Sequence, residues 1–207
     1  MSKVLMINGS PNEKGCTYTA LREMEKTLNA CGIETEIFQL GTKPISDCID
    51  CGRCSKLGRC VFDDAVNRVA ARAGEFDGFV FGSPVYYSGP TASLTAFLDR
   101  LFSTASSKLK GKPGCCVVSC RRGGATAAYD RLNKYFGLSS MPIVTSQYWN
   151  QVHGNTPEEV MQDKEGLQTM RTLAQNMAWL IKCIEAGKAA GIERPVYEPK
   201  TPTNFIR

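Results

Sequence analysis

The sequence predicts an α/β domain built on a doubly wound, five-stranded parallel sheet with helices on both faces. Three observations predict it. Short apolar runs without alternation (Val4-Leu5-Met6-Ile7, Phe79-Val80-Phe81 and Cys115 to Cys120) read as strands buried on both faces. Segments with apolar residues at 3-and-4 spacing lie between the runs. Strand and helix thus alternate five times, which gives a parallel sheet through right-handed crossovers. Finally, two of the strands end in Gly-Ser-Pro and a third in Arg121-Arg122-Gly123-Gly124, so one end of the sheet carries specialised turns.

In chain order, the first strand stops at Asn8-Gly9-Ser10-Pro11. Leu21, Met24, Leu28 and Cys31 mark a helix that Gly32 closes. Ile33 to Leu40 alternates as a less buried strand does. Residues 41–62 form a loop with four cysteines. Asp63 and Asp64 open the next helix, where their charge suits the positive end of the dipole. After the Phe79–Phe81 strand, Leu94, Phe97, Leu98 and Leu101 mark a helix. After the Cys115–Cys120 strand, a helix through Leu132 and Phe136 ends at Gly137. Met141 to Thr145 is expected as the fifth strand. Leu167, Met170, Ala174, Met177, Ile181 and Ile184 mark the last helix, and from Gly187 the chain loses periodicity and carries Pro195, Pro199 and Pro202. The organisation expected is one domain over 1–187, with a cysteine-rich loop inserted at 43–62, and an extended tail over 188–207.

Composition narrows the function. Twenty-five Lys and Arg against 20 Asp and Glu give a net charge of +5, but the cations are scattered and form no basic run with interleaved aromatics. This argues against a nucleic-acid partner and suits anionic small molecules. No apolar run approaches the ~18 residues of a membrane helix. The apolar run after Met1-Ser2-Lys3 is too short for a signal peptide. The ten cysteines therefore read as reduced thiols or metal ligands, and the expected location is the cytoplasm.

In a doubly wound sheet, ligands sit beyond the carboxyl ends of the strands. The first loop there runs from Gly9 to Thr19. Its glycines let the backbone approach a ligand, its hydroxyls (Ser10, Thr17, Thr19) can donate to phosphate oxygens, and a helix amino terminus stands behind them. It is also readable as an ordinary strand–helix turn. It is not a P-loop, since five residues separate Gly9 from Gly15 and Cys16 follows. The dinucleotide fingerprint is absent. Cys16 and Arg22 have the spacing of a phosphatase thiolate loop, but the residues between them read as helix. A phospho-acceptor receiver needs an acid where Ser83-Pro84 stands. The second loop, Gly82 to Pro90, places Tyr86 and Tyr87 where a flat heteroaromatic ring can lie.

Three segments together resemble the NADPH-dependent FMN reductase family. They are Gly9-Ser10-Pro11 with Gly15-x-Thr17, Gly82-Ser83-Pro84-Val85-Tyr86-Tyr87, and Ala96-Phe97-Leu98-Asp99-Arg100. Cys48-x2-Cys51-x2-Cys54-x5-Cys60 looks like the iron–sulfur flavoprotein branch. The resemblance implies a flavodoxin-like fold and an FMN-dependent oxidoreductase that takes electrons from NAD(P)H and passes them to a small acceptor such as a quinone or a flavin. The alternative it leaves is an electron carrier between protein partners. It implies that Ser10, Asn12, Thr17 and Thr19 lie at the FMN phosphate, with Cys16 where the family often has Asn. Pro84, Val85, Tyr86, Tyr87 and Ser88 would hold the isoalloxazine ring, and Ser119, Arg121, Gly123 and Gly124 its pyrimidine edge. Cys48, Cys51, Cys54 and Cys60 are conditional ligands: the spacing can hold a [4Fe–4S] cluster and suits it better than zinc, or it is a remnant in a flavin-only protein. A homodimer or homotetramer is expected, because Tyr86, Tyr87, Phe205 and Ile206 would leave apolar surface on a monomer. Asp99-Arg100 reads first as a structural ion pair or helix-end contact and second as catalytic. The single histidine, His153, reads first as a structural residue and second as a proton donor. Cys115, Cys116 and Cys120 read as small apolar side chains.

Overall fold

Five short strands set the frame: β1 (Lys3–Asn8), β2 (Glu34–Gln39), β3 (Gly78–Pro84), β4 (Gly114–Cys120) and β5 (Gln151–His153). They form one sheet in the order β2-β1-β3-β4-β5, with every neighbouring pair parallel. The computed structural model describes residues 1–203. Among the described residues, five α-helices lie between the strands, α1 (Cys16–Ala30), α2 (Cys54–Leu57), α3 (Ala65–Arg72), α4 (Ala92–Leu109) and α5 (Ala125–Leu138), and two follow β5, α6 (Pro157–Gln162) and α7 (Lys164–Ala189).

Strand side chains alternate between two cores. Val4, Met6, Val80, Cys115 and Val117 pack under α1 and α7. Leu5, Ile7, Phe79, Phe81, Cys116 and Val118 pack under α3, α4 and α5. Because both faces are covered, β1, β3 and β4 are buried almost throughout and apolar except toward their ends, and the edge strand β2 is only half-buried. Burial pushes the thiols of Cys115 and Cys116 up. They stay protonated and serve as packing.

Four boundaries differ from the sequence expectation. Met141 to Thr145 is not the fifth strand. It touches the sheet through one bridge, Gly114 to Ile143. Gly114 N donates to Pro142 O and Val144 N to Gly114 O, both at 2.9 Å. Pro142 has no N–H to continue the ladder. The chain leaves the sheet, and Gln151–His153 pairs with the far end of β4 instead. The α5 helix runs past Gly137, because the left-handed stop residue is Ser140 (φ 55), and Met141 N closes on Phe136 O. The α7 helix runs past Gly187 to Ala189 for the same reason. Its stop is Gly191 (φ 79), with Gly191 N bonded to Lys188 O and Ile192 N to Gly187 O. Within the 41–62 loop the chain forms the single turn α2, which packs on α4. The tail beyond α7 folds back, with Lys110 Nζ 3.8 Å from the Tyr197 ring centroid and Arg194 donating to Lys110 O. Phe205 and Ile206 lie outside the described residues.

Candidate functional site

Parallel pairing brings the carboxyl ends of β1, β3, β4 and β5 to one edge. Asn8 pairs with Gly82, Pro84 with Ser119, and Cys120 with His153. The three loops singled out above all leave from this edge.

The first loop is held from both sides. Gly9 N donates to Gly82 O at 2.8 Å, and a Cβ on Gly9 would stand 2.9 Å from Gly82 O and from Leu94. Only glycine fits there. Asn8 is buried, and its Oδ1 accepts from Ser10 N at 3.1 Å. Its Nδ2 donates to Gln39 Oε1 at 2.6 Å, and Gln39 Nε2 donates to Ser10 O at 2.7 Å. The Ser10 backbone is therefore fixed by β1 and β2 together. Ser10 Oγ accepts from Asn12 N at 3.1 Å, which curls the loop. The amino end of α1, capped by Gly15, has no side-chain cap, so its first N–H groups face the loop unpaired. Thr17 Oγ1 and Ser119 Oγ hydrogen-bond at 2.8 Å, and the two residues are 1% and 2% exposed. Two hydroxyls carry two protons and their mutual bond uses one, so one donor is left over. Thr19 Oγ1 donates back to Gly15 O at 3.2 Å. The Cys16 thiol, pushed up by burial, points to Gly154 O at 3.7 Å.

The second loop is tied to the first through Thr91. Its N donates to Ser83 Oγ at 2.9 Å and its Oγ1 donates to Gly9 O at 2.9 Å. Val85 N donates to Ser119 O, extending the sheet pairing by one residue. Tyr86 and Gly89 then exchange two backbone bonds, at 2.8 and 2.9 Å, around a two-residue turn. Both turn residues are left-handed, Tyr87 at φ 49 and Ser88 at φ 63. Neither is glycine, and such strain of about 1–3 kcal/mol per residue concentrates at ligand sites. Tyr87 is fully exposed and Tyr86 half-exposed. The third loop packs on this turn: Gly124 has φ +87, and a Cβ there would stand 2.9 Å from Ser88 Cα. Arg121 and Gly123 are exposed beside it.

A sheet in this strand order with glycine-rich turns at one edge fits many proteins; the sequence pattern decides between them. That of the NADPH-dependent FMN reductase family matches residues 2–156. The chain belongs to this family. It is 32% identical over 191 residues to an iron–sulfur flavoprotein of Methanocaldococcus jannaschii, covering 88% of this chain and 99% of that one. An iron–sulfur flavoprotein of Archaeoglobus fulgidus is 26% identical over 196 residues, covering 88% and 98%. Among solved structures, a flavodoxin, WrbA-like protein of Agrobacterium tumefaciens superposes with a TM-score of 0.63 at 14% identity, over 88% of this chain and 99% of that one. The fold is flavodoxin-like, and family membership makes the protein an FMN-dependent oxidoreductase or electron carrier.

The cysteine loop of this family member lies against the outer side of α4. Cys48, Cys51, Cys54 and Cys60 all line one small cavity of about 80 Å³. Among the described residues, no three His, Cys, Asp or Glu side chains stand close enough to hold a single metal ion. Arg100 closes the cavity from α4. It is 1% exposed and pairs with Asp64 at 2.7 and 3.0 Å, not with its neighbour Asp99. Asp99 instead accepts from the Tyr135 hydroxyl and lies 3.7 Å from Arg131. Asp64 also caps α3 by accepting from Val66 N at 3.0 Å.

Residues that sequence reasoning missed are the supports: Asn8, Gln39 and Thr91. Asn8 and Gln39 are the polar residues that end β1 and β2, and Thr91 is the N-cap of α4, marked by a threonine just before that helix's apolar pattern. His153 sits in β5, its backbone N bonded to Asp163 Oδ2 at 2.7 Å and its ring Nδ1 3.7 Å from the same oxygen. Trp149 packs half-exposed against Tyr148 at 5.0 Å.

Proposed function

We propose that the protein holds FMN on the three-loop edge, takes electrons from NAD(P)H and passes them to a small acceptor such as a quinone or a flavin. The observation that carries this reading is the mutual bracing of the loops through Gly9–Gly82, Thr17–Ser119 and Gly124–Ser88. The donor set fits a phosphate. The Thr17–Ser119 pair has a spare proton, and the uncapped α1 terminus offers N–H groups and a positive dipole end. Ser10, Asn12, Thr17 and Thr19 surround the phosphate in this reading. Thr19 must turn from Gly15 to contribute, and Cys16 is committed to Gly154. Pro84, Val85, Tyr86, Tyr87 and Ser88 hold the ring by its faces, and Arg121, Gly123 and Gly124 meet its pyrimidine edge; Ser119, expected at that edge, is bonded to Thr17 and stands with the phosphate end instead. Bound FMN supplies the electron-accepting ring. The chain orients it, and the Arg121 charge opposes the negative charge that reduction brings. The exposed Tyr86–Tyr87 turn supports a homodimer or homotetramer. Ten unpaired cysteines support a cytoplasmic location. Among the described residues no helix is long and apolar enough to cross a membrane.

A second reading, an iron–sulfur electron carrier serving protein partners, is favoured by the four cysteines on one cavity wall and by the names of the relatives. In it Cys48, Cys51, Cys54 and Cys60 hold a [4Fe–4S] cluster, which supplies a one-electron site.

The test is a visible spectrum of anaerobically purified protein, with iron and sulfide assays, before and after adding NADH or NADPH. Flavin that is released as FMN and bleached by a nicotinamide supports the first reading. Flavin that stays oxidised with both nicotinamides but reduces with dithionite, beside about four irons per chain, replaces it with the second.

A further inference from the structure

The cavity beneath the cysteine loop has one wall that is not loop. It is the middle of α4, where Arg100 and Thr104 face the four cysteines. The two stand one turn apart, on one stripe of the helix. Arg100 commits all five of its N–H donors. Nε bonds Cys60 Sγ at 3.2 Å, Nη1 bonds Ser46 O at 3.1 Å and Asp64 Oδ2 at 2.7 Å, and Nη2 bonds Phe62 O at 3.2 Å and Asp64 Oδ1 at 3.0 Å. A guanidinium so bound is a fixed post, and one of its arms fixes the Cys60 sulfur.

Thr104 is the opposite case. Its Oγ1 is buried and has no hydrogen-bond partner. A helical threonine ordinarily bonds the carbonyl four residues back, as Thr19 and Thr27 do in α1. Thr104 does not, and at the next residue, Ala105, the backbone leaves helical geometry (φ −117, ψ 16). Buried hydroxyls without partners are rare in native proteins. This one lines the same cavity as four sulfurs.

We propose that α4 is the hydrogen-bonding wall of an iron–sulfur site: Arg100 positions Cys60 as a ligand, and Thr104 donates its hydroxyl to a sulfur of the bound cluster. The proposal rests on the cluster reading of the cysteine loop. Neither residue touches iron, and no bond forms or breaks at either. Their effect is on potential and assembly, because hydrogen bonds to the sulfurs favour the more negative, reduced cluster.

The test uses Thr104→Val and Arg100→Lys in the full chain, reconstituted anaerobically with iron and sulfide. Valine keeps the shape of Thr104 and removes only the donor. Without iron, Thr104→Val should unfold at the same urea concentration as the parent or a higher one. With iron, its cluster should lose about tenfold in electron affinity, or about 59 mV for one electron, while the FMN potential stays in place. Arg100→Lys keeps a charge beside Asp64 but loses the fork. It should take up less iron, and in the iron-free protein Cys60 should alkylate faster, with FMN still bound. If Arg100→Lys does not fold, Thr104→Val alone decides. A cluster of parental potential in Thr104→Val overturns the inference and leaves the cluster reading standing. Iron and sulfide near zero in the reconstituted parent overturn both.

Discussion

Replacing Thr17 with Val tests the proposed phosphate end of the FMN site. Valine keeps the γ-methyl that fills the space where a Gly82 Cβ would stand, 2.9 Å away, so the contact between α1 and β3 is retained. What is lost is the 2.8 Å bond to Ser119 Oγ between two buried residues. Ser119 Oγ then has no partner, and an unmet buried hydroxyl costs about 1–3 kcal/mol. In the FMN-free protein this should appear as a lower urea midpoint. FMN binding should weaken separately, because the Thr17 hydroxyl, which in this reading accepts from Ser119 and donates to the phosphate, is gone. A hydrogen bond to a charged phosphate oxygen contributes roughly 1–3 kcal/mol, so affinity should fall about 5- to 150-fold. Adding Ser119→Ala separates the two effects. With both hydroxyls gone no buried donor is orphaned, and stability should return to within about 0.5 kcal/mol of the parent. FMN affinity should stay low. Urea unfolding measures the first quantity and quenching of FMN fluorescence the second. Parental affinity in Thr17→Val would refute the placement of the phosphate at this pair. So would recovery of affinity in the double variant, since that would trace the loss to a disturbed fold.

Other outcomes follow from the same contacts. Asp64→Ala strands the buried Arg100 and uncaps α3, and should destabilise the protein by roughly 3–5 kcal/mol; an unchanged urea midpoint would remove Arg100–Asp64 from the core of the fold. Gly124→Ala places a Cβ against Ser88 Cα at φ +87, and should cost roughly 1–3 kcal/mol and weaken FMN binding; parental affinity would show that the third loop does not shape the site. Arg72, with help from Lys3, holds the Glu36 carboxyl at about 2, below the ordinary 4.5. The depressed value means that its contribution is full above pH 4.5 and lost as pH falls toward 2. Glu36→Gln should flatten that part of the acid unfolding curve followed by circular dichroism, and superimposable curves would count against the ion pair. Light scattering at micromolar concentration should give a multiple of the 22.7 kDa chain mass, and the monomer mass would contradict the proposed assembly.

The fold was legible where burial is symmetrical. β1, β3 and β4 lie between two helical layers, so each reads as an uninterrupted apolar run. β5 is three residues long, Gln-Val-His, and has one buried side chain, so nothing in its composition marks it. Met141 and Val144 drew the assignment because both are buried, but they are buried beside the sheet and not in it. Helix ends show the same limit. Gly32 is a true stop, with φ +79 and Ile33 N bonded to Leu28 O. Gly137 and Gly187 are not, because a glycine ends a helix only where the backbone turns left-handed. That turn falls on Ser140 and Gly191.

The site was legible as loops but not as partnerships. Glycine, serine and proline at strand ends mark where the backbone turns, which is a local property. Which side chains meet is decided by the stacking of elements distant in sequence. Asp99 and Arg100 are adjacent, yet successive helical residues point about 100° apart and do not face each other. Asp99 therefore looks toward α5 and finds Tyr135, while Arg100 looks toward the cysteine loop and finds Asp64 and Cys60. The cysteine spacing likewise marks four candidate ligands, but the wall facing them comes from a helix some 40 residues further on. Arg100 and Thr104 become a pair only because α4 presents one stripe to the loop. A lone threonine in a helix carries no signal in sequence, and its unpartnered hydroxyl becomes visible only when the cavity beside it is known.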